Sequence, residues 1–117
     1  MSKKINTGEY IYFNADGTPE YHGLGGNPSL EFNETDVVLS TFTGLELFLF
    51  IKLGKDKEVL RFAYADIEHF CVENKKIAKH LTVFFNNGRK LTITLTSNNA
   101  KLAAELLRSH GVREEAA

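Results

Sequence analysis

Between Ser29 and Leu95 the chain alternates apolar and polar positions in seven short segments: SLEF, VVLSTF, LELFLFIKL, EVLRFAY, IEHFCVE, HLTVFF and RKLTITL. A side-chain period of two, with many β-branched and aromatic residues, marks each as a strand. The links between them are about two to six residues long, whereas parallel crossovers need a dozen or more, so consecutive strands are expected to pair antiparallel. Seven such strands cannot bury a one-sided apolar face as a flat open sheet. They are expected to curl into a strongly bent sandwich or barrel.

Turn lengths select the registers. With GKDK as a four-residue loop, Leu53 faces Glu58, Ile51 faces Leu60, Leu49 faces Phe62 and Leu47 faces Tyr64, and the apolar faces of the two strands agree. In FFNNGRK a two-residue Asn-Gly turn would mix apolar and polar residues on both faces. A three-residue loop of Asn86, Asn87 and Gly88 sets Val83 against Leu91 and Leu81 against Ile93, with Thr82 and Thr92 paired outside.

After TSNN the period changes. Leu102, Ala103, Leu106 and Leu107 recur at three- and four-residue spacing, which predicts an amphipathic helix from about Asn98 to His110 that plugs one end of the strands. Ser97 or Asn98 is the expected N-cap, Gly111 suits the left-handed position past the C-terminus, and Val112 is placed to pack back on Leu107. Residues 113–117 read as a frayed tail. Residues 1–28 are turn-rich, with NADGTPEY and HGLGGNP loaded with Gly, Asn, Asp and Pro, and only YIYF (Tyr10 to Phe13) suggests a strand.

Composition narrows function by exclusion. One domain and one core suit 117 residues, and 14 basic against 15 acidic side chains leave a net charge of -1. Proteins that coat nucleic acid carry a basic excess, so that class is excluded. Cys71 is the only cysteine, which rules out an internal disulfide or a thiolate metal cluster and points to a reducing, cytoplasmic compartment. Neither a signal peptide nor a transmembrane segment is expected, since the longest apolar stretch, LELFLFIKL, is short and interrupted by Glu46 and Lys52.

From SLEFNETDVVLST through VLRFAYADIEHFCVE and LTVFFNNGRKLTIT to the closing helix, the chain resembles the bacterial pleckstrin-homology-like (PH-like) domains, relatives of GRAM domains. The first segment is similar to the family's opening hairpin with its acidic turn. FAYADIEHF is similar to the family's corner between two sheets, and the last segment to its final hairpin and helix. The resemblance covers about 29–112. It implies a mainly β fold: a seven-stranded antiparallel barrel of two bent, near-orthogonal sheets capped by one C-terminal helix. It also implies a binding or assembly module rather than an enzyme, although fold alone does not choose among binding roles.

Lys75, Lys76, Lys79 and His80 suggest a phosphate grip, but Glu73 offsets them and they read as a solvated connection. Phosphoinositide-binding relatives place basic residues on the first hairpin turn, which here is the acidic Asn33, Glu34, Thr35, Asp36. GLGGNPS lacks phosphate-loop spacing. His22, His69, His80 and His110 have no metal-ligand spacing, and His110 reads as a charge at the helix C-terminus. Cys71 has no base beside it, and neither the carboxylates nor the serines form a catalytic pattern, so no catalytic, metal or cofactor residue is assigned.

The registers leave Phe48, Phe50 and Phe84 on the outside, with Arg61 opposite Phe50 and placed to cover its ring. These four residues form the candidate interface with a protein partner or a second copy. The alternative cover for that face is the segment carrying Tyr10, Ile11, Tyr12 and Phe13, folded back over it. The competing function is peripheral binding of anionic phospholipid through Lys55, Lys57, Arg89 and Lys90 on the turns.

Overall fold

The computed structural model of the chain describes residues 2–23, 28–41, 57–75 and 78–116. Among these residues nine strands, not seven, form two antiparallel sheets. They are β1 (Lys3–Asn6), β2 (Tyr10–Phe13), β3 (Pro19–Gly23), β4 (Ser29–Phe32), β5 (Asp36–Thr41), β6 (Lys57–Ala63), β7 (Ile67–Asn74), β8 (Lys79–Phe85) and β9 (Lys90–Leu95). One sheet runs β1-β4-β5-β6 and the other β3-β2-β9-β8-β7. The expected closed barrel is not found among the described residues; the architecture is two sheets and a C-terminal helix, α1 (Ser97–Ser109).

The final hairpin has the expected register, with Leu81 against Ile93, Thr82 against Thr92 and Val83 against Leu91. Its loop is the three-residue one: the Phe85 amide donates to the Arg89 carbonyl at 2.9 Å, and Gly88 sits at φ +89°, where a side chain would be strained. Pairing after β5 differs from expectation. Instead of being separated by the LELFLFIKL strand, β5 and β6 bond directly, Val37 facing Phe62 and Leu39 facing Leu60. The LELFLFIKL strand itself and its register against Glu58, Leu60, Phe62 and Tyr64 lie outside the described residues.

The N-terminal region is part of both sheets. β1 pairs with β4 and β2 with β9, which puts Ile5 in the core beside Leu30 and Tyr10 and Tyr12 beside Leu91 and Ile93. Between them the chain crosses from one sheet to the other, where the Gly8 amide donates to the Thr94 carbonyl and the Thr94 amide to the Glu9 carbonyl, both at 2.8 Å. A second crossing follows β6, where Tyr64–Asp66 forms a single 3-10 turn leading into β7. Both hairpins hold that corner. Tyr64 donates its amide to Thr35 and its hydroxyl to the Asn33 carbonyl at 2.8 Å, while Asn86 donates its amide to the Asp66 carbonyl.

Inward-facing residues from the two sheets meet in one core in which Leu39, Phe70, Leu91 and Ile93 are wholly out of water. The helix packs on β1, β8 and β9 with Ala100, Ala103, Ala104 and Leu107, while Leu102 and Leu106 are only half-buried. The predicted face is therefore rotated toward the alanines, whose small side chains let the helix backbone approach the strands. The N-cap is Thr96, ahead of the expected Ser97 or Asn98, and its Oγ1 accepts from the Asn99 amide. At the other end the Val112 amide bonds the Leu107 carbonyl and the Gly111 amide that of Arg108, with Gly111 at φ +81°. That is a Schellman ending.

Residues 113–115 are not frayed. Phe70 donates its amide to the Arg113 carbonyl at 3.0 Å and accepts from the Glu115 amide at 2.9 Å, a parallel bridge on the outer edge of β7. Among the described residues no helix is long and apolar enough to cross a membrane.

Candidate binding surface

Alternation along β8 sends Leu81, Val83 and Phe85 into the core and leaves Phe84 on the opposite face. The sheet register then sets His69, Phe84, Lys90 and Phe13 in one row across β7, β8, β9 and β2. The His69 and Phe84 rings stack at 4.4 Å with 17° between their planes, and the Lys90 Nζ stands over the Phe13 ring at 4.8 Å. All four side chains are half-buried, the His69 side chain 16% exposed. Glu68 flanks the row, its Oε1 at 3.1 Å from the His69 Nδ1.

The neighbouring row is Cys71, Thr82, Thr92 and Ile11. Its threonine pair was expected to be exposed, but Thr82 is buried, sharing a 3.3 Å hydrogen bond with Thr92. Cys71 is buried too, and burial pushes its thiol up, with the Glu73 carboxylate adding to the effect. A thiol held protonated is a poor nucleophile.

Of the four residues expected to form one interface, Phe84 belongs to the five-stranded sheet and Arg61 to the four-stranded one. Arg61 donates to the Asp36 Oδ2 at 2.7 Å and the Glu58 Oε1 at 2.9 Å, which together raise its already high pKa, Glu58 contributing most. Asp36 is correspondingly held below the usual carboxylate range, first by the Asn33 amide and then by Arg61. Phe48 and Phe50 lie outside the described residues. The segment Tyr10–Phe13 does not fold over the aromatic face; it is a strand of the same sheet, so its Phe13 extends the row.

Of the residues expected at a phospholipid site, Arg89 and Lys90 are described in full. Arg89 donates to the Glu20 Oε2 at 2.7 Å and the Asn14 Oδ1 at 3.2 Å, and the Tyr12 hydroxyl is the first cause of its raised pKa. Lys90 is committed to the Phe13 ring. Lys55 lies outside the described residues, and Lys57 opens β6 with its side chain likewise outside them. In the β7–β8 connection Lys75 pairs with Glu73 at 3.4 Å and Lys79 donates to the Asn74 Oδ1 at 2.6 Å, while Lys76 lies outside the described residues. His110 does more than face the helix end: it stacks on Tyr64 at 4.0 Å, and its Nδ1 lies 2.8 Å from the Leu106 carbonyl.

Sequence reasoning put Phe84 on the outer face but did not place it beside Phe13 and Lys90. Phe13 and Lys90 join it only through the long-range pairing of β2 with β9, which no local pattern announces. Compared with protein-family models and with curated proteins, the chain finds no match in either.

Proposed function

We propose that the chain is a non-catalytic PH-like assembly module that pairs with a second copy of itself through the outer face of the five-stranded sheet. Three elements support the PH-like assignment: the β4–β5 hairpin with its acidic turn, the Tyr64–Asp66 corner, and the β8–β9 hairpin leading into α1, in that order. On this view β1, β2 and β3 are additions that lengthen both sheets. The buried thiol of the lone cysteine suits a reducing compartment, the cytoplasm.

The observation that carries self-association is the order of the row. A two-fold axis along the strands reverses it, so His69, Phe84, Lys90 and Phe13 of one copy meet Phe13, Lys90, Phe84 and His69 of the other. Every facing pair is then ring on ring or ammonium on ring, the self-complementarity that an isologous interface needs. A net charge of -1 opposes this pairing little. Anionic phospholipid binding is the weaker reading, because Arg89 is already paired with Glu20.

Sedimentation velocity over a concentration series is the test. The chain should move from monomer to dimer, and Phe84→Glu should raise the dissociation constant at least tenfold while leaving the circular dichroism unchanged. A wild-type chain that stays monomeric throughout removes the self-association proposal.

A further inference from the structure

Away from the aromatic face, a groove of about 190 Å³ runs between β7 and α1. Val72, Ala100 and Ala104 line it, and Lys79, Lys101 and Arg108 add three cations. Lys79 bonds only the neutral Asn74 among the described residues, and Lys101 is exposed on the helix. One carboxylate enters this basic groove: Glu114, which accepts a hydrogen bond from the Arg108 Nη1.

Glu114 is there because residues 113–115 lie along β7 as the beginning of a parallel strand. Phe70 spends both backbone groups on them. In an antiparallel pair these groups point alternately toward and away from the partner, so Val72, two residues on, also aims its N–H and C=O away from β8. The bridge at Phe70 is nevertheless isolated. A strand edge that beyond Phe70 has no partner among the described residues, beside a groove with three cations to one carboxylate, is the geometry in which an extended peptide adds as a further strand.

We infer that the β7 edge and the β7–α1 groove form a docking site for an extended acidic peptide segment, and that residues 113–115 occupy its first positions as an internal stand-in. The charge fits where the stand-in meets the site: Glu114 accepts from Arg108, and Glu115 approaches the His69 Nε2 at 3.9 Å. A segment running parallel to β7 from this point passes Val72 and reaches Lys101 and Lys79. An acidic peptide displaces the internal strand because it engages all three groove cations, of which Glu114 engages one.

The test uses the full chain carrying Glu114→Lys and Glu115→Lys, which repels the internal strand from Arg108. A fluorescein-labelled peptide alternating glutamate and valine is the probe, followed by anisotropy and amide hydrogen exchange. The double variant should bind it at least tenfold more tightly than wild type, Lys101→Glu added to that variant should weaken binding at least fivefold, and the Val72 amide should become protected. Should the double variant fail to fold, Glu114→Ala, which frees Arg108, takes its place with the Lys101 and Val72 readouts. Three results overturn the inference: no binding by the released chain, binding without protection at Val72, or binding of phosphatidylserine vesicles with none of the peptide. The groove opens on the helix side of the five-stranded sheet and the row around Phe84 on its other face. Glu115 reaches His69 of that row, so the Lys101→Glu and Val72 readouts, which lie away from it, let either proposal fail without the other.

Discussion

Tyr64 is the residue on which the corner between the sheets turns. Its hydroxyl donates to the Asn33 carbonyl, its ring stacks on His110, and burial, aided by Asp36, pushes its pKa up to about 12. A folded pKa above the unfolded value of 10.0 means stability that is whole below pH 10 and lost as pH rises toward 12. Tyr64→Phe should therefore cost about 1 kcal/mol at neutral pH, the usual worth of one such hydrogen bond. That gap should narrow in urea melts taken above pH 10; a gap constant with pH would refute the account. Asp36 works at the other end of the scale. Its carboxyl is depressed first by the Asn33 amide and then by Arg61, so the stability it contributes is present above the usual carboxylate pKa and disappears as pH falls through the lower folded value. Thermal melts of Asp36→Asn should show a shallower loss of stability on acidification than wild type. The acidic turn was visible in the sequence as NETD, but its chemistry was not: Asn33, Asp36, Arg61 and Tyr64 come together only through the pairing of β5 with β6 and the corner that follows.

Elements with strong local rules were the ones that could be read in advance. The β8–β9 register followed from one glycine and the demand that apolar faces agree, because a slip of one residue would have exposed Leu81, Val83, Leu91 and Ile93 together. The helix ends obeyed capping rules to within a residue. Replacing Thr96 by Ala should cost about 1 kcal/mol by freeing the Asn99 amide. Gly111→Ala should cost a similar amount, about 1 kcal/mol, through backbone strain alone, since no atom stands within 4 Å of the added Cβ. Chemical denaturation of both variants checks the pair, and an unchanged midpoint for either would mean that the helix end is not held as described. The face of the helix was harder to see. Hydrophobicity ranks Leu102 and Leu106 above the alanines, yet close packing against three strands favours the smaller residues. Residues 113–115 were illegible for another reason: a bridge made wholly by backbone groups needs no apolar pattern, and REEAA offers none.

At the scale of the whole molecule, local periodicity gives strands but not their neighbours. The turn-rich stretch before Ser29 looked detachable because its strands are four or five residues long and bounded by Gly, Asn and Pro. Instead β1 and β2 enter different sheets and hold them together at the helix end, where Asn99 also donates to the Asn6 carbonyl at 3.1 Å. Ile5, Tyr10 and Tyr12 are each under a tenth exposed. Removing three such side chains forfeits roughly 1.5–3 kcal/mol apiece, against a total stability of about 5–15 kcal/mol for an ordinary domain. It would also leave the outer edges of β4 and β9 without their partners, a template for aggregation. A chain beginning at Pro28 retains every segment of the PH-like resemblance, so if that span were self-sufficient it would fold. The energetics predict the opposite: the shortened chain should lose cooperative thermal unfolding and aggregate, and adding residues 1–27 as a separate peptide should restore a cooperative transition. A sharp melt from the shortened chain alone would show that the N-terminal strands decorate the two sheets rather than join them.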